Sequence, residues 1–291
     1  MTLARRVDRW MFAPEPAARL HGAITVLALT IGLRVALGPY SGLAGQPAAL
    51  FDPPWFLGWL DHMPGREVII ALQVIGAAGA ALAVLGRYRR VTFALAWITL
   101  VLLAGLRASR GKIQHNDLLL ILAAVPFLAA AVDTTWRDHR SGSRYGWPIH
   151  CGMVVAAIAY CTSGIAKLIS SGTRWVFSDN MSNILYDGAR APKTHGGDLA
   201  RWIGDHGTLA RLIALATIGF ELAFPLALVY VRLRPVAVAG AIALHGSIFM
   251  LLGLDYSAWA ATVVALFINW PRLGSAAPVA GVARDGARAA P

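Results

Sequence analysis

The chain has 291 residues, 57% hydrophobic and only 14% charged, with a mean hydropathy of +0.58. A soluble domain carries about 25% charged residues, so the composition excludes an ordinary water-soluble enzyme and predicts an all-α, polytopic membrane bundle. The net charge of +11 and pI near 10.5 fit arginines flanking apolar segments, and no nucleic-acid partner is expected.

A span needs ~20 apolar residues. Eight segments qualify or come close: 19–37, 68–86, 91–106, 115–132, 148–169, 212–231, 235–254 and 256–270, of which the third, fourth and eighth are short. Residues 1–18 precede the first span and carry Arg5, Arg6 and Arg9 without a small-residue cleavage pattern, so that span is read as retained. The loop at 38–67 contains Phe51-Asp52-Pro53-Pro54-Trp55-Phe56-Leu57-Gly58-Trp59-Leu60, an aromatic interfacial segment. In span two, Gly76, Gly79 and Ala80 read as close-packing residues. Tight turns follow spans two, six and seven, at Arg87-Tyr88-Arg89-Arg90, Arg232-Leu233-Arg234-Pro235 and Gly253-Leu254-Asp255-Tyr256. The polar loop at 170–211 holds Trp175, Asp179, Tyr186, Lys193, His195, Asp198 and Trp202. The tail 271–291 is rich in Ala, Gly and Pro and is expected to be disordered. With the N-terminus inside, the inner segments hold fourteen Arg/Lys and the outer segments eight, which favours cytoplasmic N- and C-termini in the cell membrane. Cys151 and Cys161 lie on one helix roughly 15 Å apart, too far for a disulfide.

Ionisable groups within spans are costly and mark function. Lys167 ends an apolar run from Trp147 to Ala166. Stripped of water, such an amine is a route to a strong base inside a membrane, while the bland alternative is a helix-end lysine snorkelling to the interface. His115 and Asn116 open span four, and Arg34 lies in the outer half of span one, so these residues and Lys167 share an outer level. Glu221 and His245 lie near the centres of spans six and seven, where they are expected to pair with each other. A lone histidine there can also be helix-packing glue, and the pair can be purely structural. Taken together, the set reads as a pocket with a proton path. P-loop, dinucleotide-binding glycine, zinc-protease and serine-elbow motifs are absent, and no metal site is expected.

Tyr160-Cys161-Thr162-Ser163-Gly164-Ile165-Ala166-Lys167-Leu168 resembles the Y-x-x-x-G-[IV]-x-K-L helix of the vitamin K-dependent gamma-carboxylase-like membrane proteins, which share the HTTM domain. Gln114-His115-Asn116 resembles the context of that family's functional histidine. Glu221, the basic turn at 232–235 and Leu244-His245 follow the family's order. The similarity runs from about 105 to 255. It implies an HTTM-like domain over 19–270 and a reduced naphthoquinone (vitamin K or menaquinol) as cofactor. By that likeness Lys167 is the base that deprotonates the quinol, His115 supports it, and His245 lines the site. O2 then adds, a strong alkoxide base abstracts a substrate proton, and CO2 is captured. Glu221, Asn116, Arg34 and Trp175 complete the expected binding set.

The chain departs from the carboxylase in three places, one being that the tryptophan closely following the family's lysine stands farther away here, as Trp175. Ala166-Lys167 stands where the family has paired lysines, and about 20 residues follow the last span where the carboxylase has a large domain. The chain also resembles the membrane factor that matures a secreted sporulation-delay toxin, which implies a small exported peptide as partner. The expectations are therefore a quinol-linked enzyme, a non-enzymatic maturation or binding factor, or a proton-coupled carrier using Glu221 and His245.

Overall fold

The computed structural model describes residues 2–111, 115–130 and 133–270. Among them the chain is all-helical apart from one antiparallel pairing of β1 (Glu15–Pro16) with β2 (Ser141–Gly142). The first six helices are α1 (Leu3–Met11), α2 (Ala17–Leu37), α3 (Arg66–Val84), α4 (Arg89–Ala108), α5 (Leu118–Leu128) and α6 (Ser143–Ser171). Three short helices then fill the polar loop: α7 (Arg174–Phe177), α8 (Asn180–Arg190) and α9 (Gly197–Asp205). The last four are α10 (Gly207–Ala223), α11 (Leu226–Val229), α12 (Arg234–Leu252) and α13 (Ser257–Phe267).

Among the described residues five segments are long and apolar enough to cross a membrane: Ala17–Leu43, Arg66–Val84, Arg89–Ala108, Ser143–Ser171 and Val231–Leu252. The third expected span is longer than its apolar run, because its flanking arginines are helical too. The fourth and eighth fall short. α5 and α13 have 11 residues each, which at 1.5 Å per residue is roughly half the ~30 Å of a bilayer core. Pro126 lies near the end of α5, where it removes an intrahelical hydrogen bond. The sixth expected span is divided at Phe224-Pro225, with α10 starting at Gly207 rather than 212.

α2 forms the centre, packed against α3, α4, α6 and α13. Leu20, Leu27, Ile31 and Val35 on it are fully buried. Small residues set the α3–α4 approach. A Cβ on Gly76 would lie 2.7 Å from Thr99 Cγ2, and one on Gly79 3.0 Å from the Thr92 carbonyl, while Ala80 is buried. That is the close packing their sequence context implies. In the loop after α2, Trp55 and Trp59 are exposed while Leu57 is buried. A second apolar cluster, with Val176, Met181, Leu185 and Ile218, seats α7, α8 and α9 on α10.

A polar clamp not visible in the sequence fastens the start of α6. His150, inside the run that looked free of charge, is buried, with Nε2 3.3 Å from Glu15 Oε1, and Arg19 bonds the same carboxyl oxygen. Burial would raise the Glu15 carboxyl, but the His150 hydrogen bond and the nearby Arg19 outweigh it and hold it down at about 2. A depressed carboxylate contributes stability above its ordinary value and loses it as the group protonates. We therefore expect Glu15→Gln to melt below wild type above about pH 4.5, with the gap shrinking as pH falls towards about 2. Parallel thermal melts across that window check this; a gap that does not narrow on acidification would refute it.

Candidate functional site

α6 presents Tyr160, Ser163 and Lys167 on one face, since i, i+3 and i+7 align along a helix. Facing them are Glu221 on α10, His245 on α12, and Tyr256 and Trp259 at the head of α13. Gly164 lets α6 approach α10. A Cβ there would stand 3.0 Å from Leu222 Cδ2 and 3.2 Å from Glu221 Cβ.

Lys167 Nζ donates to Glu221 Oε1 at 2.7 Å, to Glu221 Oε2 at 2.8 Å and to Ser163 Oγ at 2.8 Å. The Ser163 hydroxyl donates to Glu221 Oε1 at 3.0 Å. The Glu221 side chain is 7% exposed and that of Lys167 25%. Trp175, on α7, places its ring centroid 5.5 Å from Nζ, a cation–π distance. Glu221 thus pairs with Lys167, not with His245 as depth along the sequence had implied. Side chains lean towards the N-terminus of their helix. Lys167 therefore leans back over Ser163, one turn earlier, and reaches the level of Glu221.

His245 finds a different partner. Its Nε2 is 2.7 Å from the Tyr160 hydroxyl, in hydrogen-bond contact, while its Nδ1 is buried with no hydrogen-bond partner among the described residues. Tyr160 stacks on Phe224 with centroids 4.2 Å apart and meets Phe220 and Trp259 edge-on. The Glu221–His245 pair that a carrier reading used is not formed.

Tyr160, Ser163, Lys167, Glu221 and His245 line a cavity of about 280 Å³ whose remaining wall is mostly apolar, including Met181, Leu185, Ile213 and Ile248, with Thr217 and Ser247. His115 reaches its rim, where Nε2 lies 3.0 Å from the Tyr256 hydroxyl and its carbonyl accepts the Trp259 indole N–H at 3.0 Å. No hydrogen bond joins His115 to Lys167 among the described residues, so the two expected catalytic groups line one cavity without forming a pair. Gln114, which preceded His115 in the sequence resemblance, lies outside the described residues, as does Lys112.

Arg34 and Asn116 belong to a neighbouring cavity of about 610 Å³. Arg34 Nε donates to Asp117 Oδ1 at 2.5 Å, and its guanidinium also bonds Asp255. Asn116 Nδ2 donates to the Asp255 carbonyl at 2.7 Å. These bonds tie α2, the start of α5 and the α12–α13 turn together. Burial would raise the Asp255 carboxyl, but the Ser257 hydrogen bonds and Arg34 keep it below the usual carboxylate range. An apolar groove of about 970 Å³ between α5 and α6, lined by Leu122, Val125, Val155 and Ile158, shares Ser163, His115 and Trp259 with the Lys167 cavity.

Sequence reasoning passed over Tyr160, Ser163, Tyr256 and Trp259. For the first two a signal was present, because both fall on the Lys167 face of one helix. For Tyr256 and Trp259 there was none, since only the fold of the short α13 brings them in. No family model, curated protein or solved structure matches this chain.

Proposed function

We propose that this is an integral membrane protein of the HTTM type, related in mechanism to the vitamin K-dependent gamma-carboxylase-like proteins, whose Lys167 cavity takes a reduced naphthoquinone. In this reading the five long helices span the bilayer with both termini inside. α5, α10 and α13 complete an eight-segment bundle, their ends shielded by protein, where irregular backbone is tolerated at membrane depth. The observation that carries the proposal is a lysine–carboxylate pair set in the wall of a mostly apolar cavity.

The residues present fit such a cofactor. About 280 Å³ sits at the small end of ligand pockets, suited to a bicyclic headgroup. The adjoining groove between α5 and α6 suits an isoprenoid tail. Two polar ends line the cavity for two ring hydroxyls: Lys167 with Glu221, and the Tyr160–His245 pair. When bound, the quinol supplies an acidic hydroxyl and an oxygen-reactive ring. Lys167 becomes a base by passing its proton to Glu221, a transfer that leaves the pair neutral and so creates no isolated charge at this depth. Ser163, bonded to both, keeps amine and carboxylate in register for that exchange. Trp175, Tyr256 and Trp259 line the same cavity and limit water around the amine. The substrate in this reading is a small exported peptide.

The test uses purified protein in nanodiscs with reduced menaquinone under air, following quinol binding and epoxide formation. Wild type should form epoxide, and Lys167→Ala should bind quinol yet lose at least about 100-fold in turnover, the usual scale for a positioned acid–base group. Bound quinol without epoxide from wild type would remove the base role and leave a non-enzymatic binding or maturation factor. A quinol that does not bind would remove the cofactor.

A further inference from the structure

We propose that the 610 Å³ cavity beside Arg34 is a binding site for the phosphate of an anionic glycerophospholipid, with an acyl chain lying along α2. The inference rests on the chain spanning a bilayer and is independent of the chemistry at Lys167.

The cavity is formed where helix ends meet: the ends of α2 and α4, the turn before α5, and the α12–α13 turn. Among the described residues three arginine and lysine side chains line it, namely Arg34, Arg107 and Lys193. The two carboxylates at hand, Asp117 and Asp255, both bond Arg34. Arg107 stands 4.0 Å from Asp117, at the outer limit of an ion pair, and Lys193 makes no ion pair among the described residues. Lys193, and Arg107 beyond its marginal contact with Asp117, are thus left to a ligand, and Asn116 and Tyr256 add polar groups to the same wall. Phosphate oxygens accept several charge-assisted hydrogen bonds at once, which matches an arginine fork beside a lysine.

A second, independent observation points to a lipid rather than a free anion. Leu33 and Leu37 line the cavity and are 50% and 78% exposed. With Leu29, 52% exposed, they form a stripe at i, i+4 and i+8 of α2. This apolar track leaves the cationic cavity and runs down one helix face, so a headgroup and its chain meet matching surfaces in the order in which a lipid presents them. Snorkelling cations beside apolar helix faces are the usual partners of anionic headgroups.

Native mass spectrometry of the full chain in an uncharged detergent, titrated with dioleoyl phosphatidylglycerol and separately with inorganic phosphate, tests the site. Wild type should hold one phosphatidylglycerol tightly. Lys193→Gln and Arg107→Gln should each weaken it about tenfold, the effect of losing one charge-assisted hydrogen bond of ~1.4 kcal/mol. Leu33→Asn should weaken the lipid and leave phosphate unaffected. Lys193 is exposed, so its variant carries the test even if Arg107→Gln fails to fold by thermal melt. Unchanged phosphatidylglycerol binding in Lys193→Gln would overturn the site. Phosphate binding as tightly as the lipid would overturn the lipid assignment. Neither outcome touches the membrane reading, which fails only if the wild-type chain does not insert into bilayers.

Discussion

Glu221→Leu should cost about 3–5 kcal/mol of unfolding free energy, because it leaves the Lys167 ammonium without its carboxylate in a mostly apolar wall. Lys167→Met should cost a similar amount by stranding Glu221, which at 7% exposure is the more deeply buried partner. The double variant Lys167→Met/Glu221→Leu should return to within about 1 kcal/mol of wild type, since a buried ion pair replaced by apolar groups of similar size is often neutral. Reversible unfolding in mixed micelles measures all four proteins as a double-mutant cycle. Simple addition of the two single effects would mean the pair is not coupled and would remove the basis for proton exchange between its members. Quinol turnover separates stability from chemistry: the restored double variant should fold and remain inactive.

Tyr160→Ala should be of comparable size, about 3–5 kcal/mol, as for other large-to-small changes at fully buried aromatics. Its ring is 1% exposed and touches Phe220, Phe224 and Trp259, and its hydroxyl bonds His245. In a bilayer the loss comes from packing rather than from transfer out of water, because lipid tails are as apolar as the protein interior. Tyr160→Phe keeps the ring and removes only the bond to Nε2, leaving His245 with neither nitrogen satisfied. That should cost about 1–3 kcal/mol. Equal stability for Phe and Ala at this position would show that the hydroxyl bond to His245 on α12, and not the aromatic stack against α10 and α13, carries the contribution of Tyr160.

Much of the cavity wall was readable in advance. Lys167, His115, His245, Glu221 and Trp175 all line one cavity; the four ionisable residues stood out because such groups in apolar runs are costly and therefore rare, and Trp175 through the family resemblance alone. Arg34 and Asn116 were legible as a group at the same end of the bundle but sit in the adjoining cavity, since Arg34 is engaged by Asp117 and Asp255. Tyr160 and Ser163 could have been found from their spacing to Lys167. His150 and Glu15, remote in sequence, could not.

The all-helical, apolar character, the positions of the five long helices and the residue types that carry chemistry are legible in the chain read segment by segment. Those follow from local composition and periodicity, which each segment states on its own. Packing in three dimensions chose the partners. It gave Glu221 to Lys167 through the backward lean of a lysine on its helix, and His245 to Tyr160. It also shortened α5 and α13, and folded Tyr256 and Trp259 over the cavity. Pairing depends on side-chain direction and on the ends of helices, and neither quantity is written in the hydropathy of a single segment.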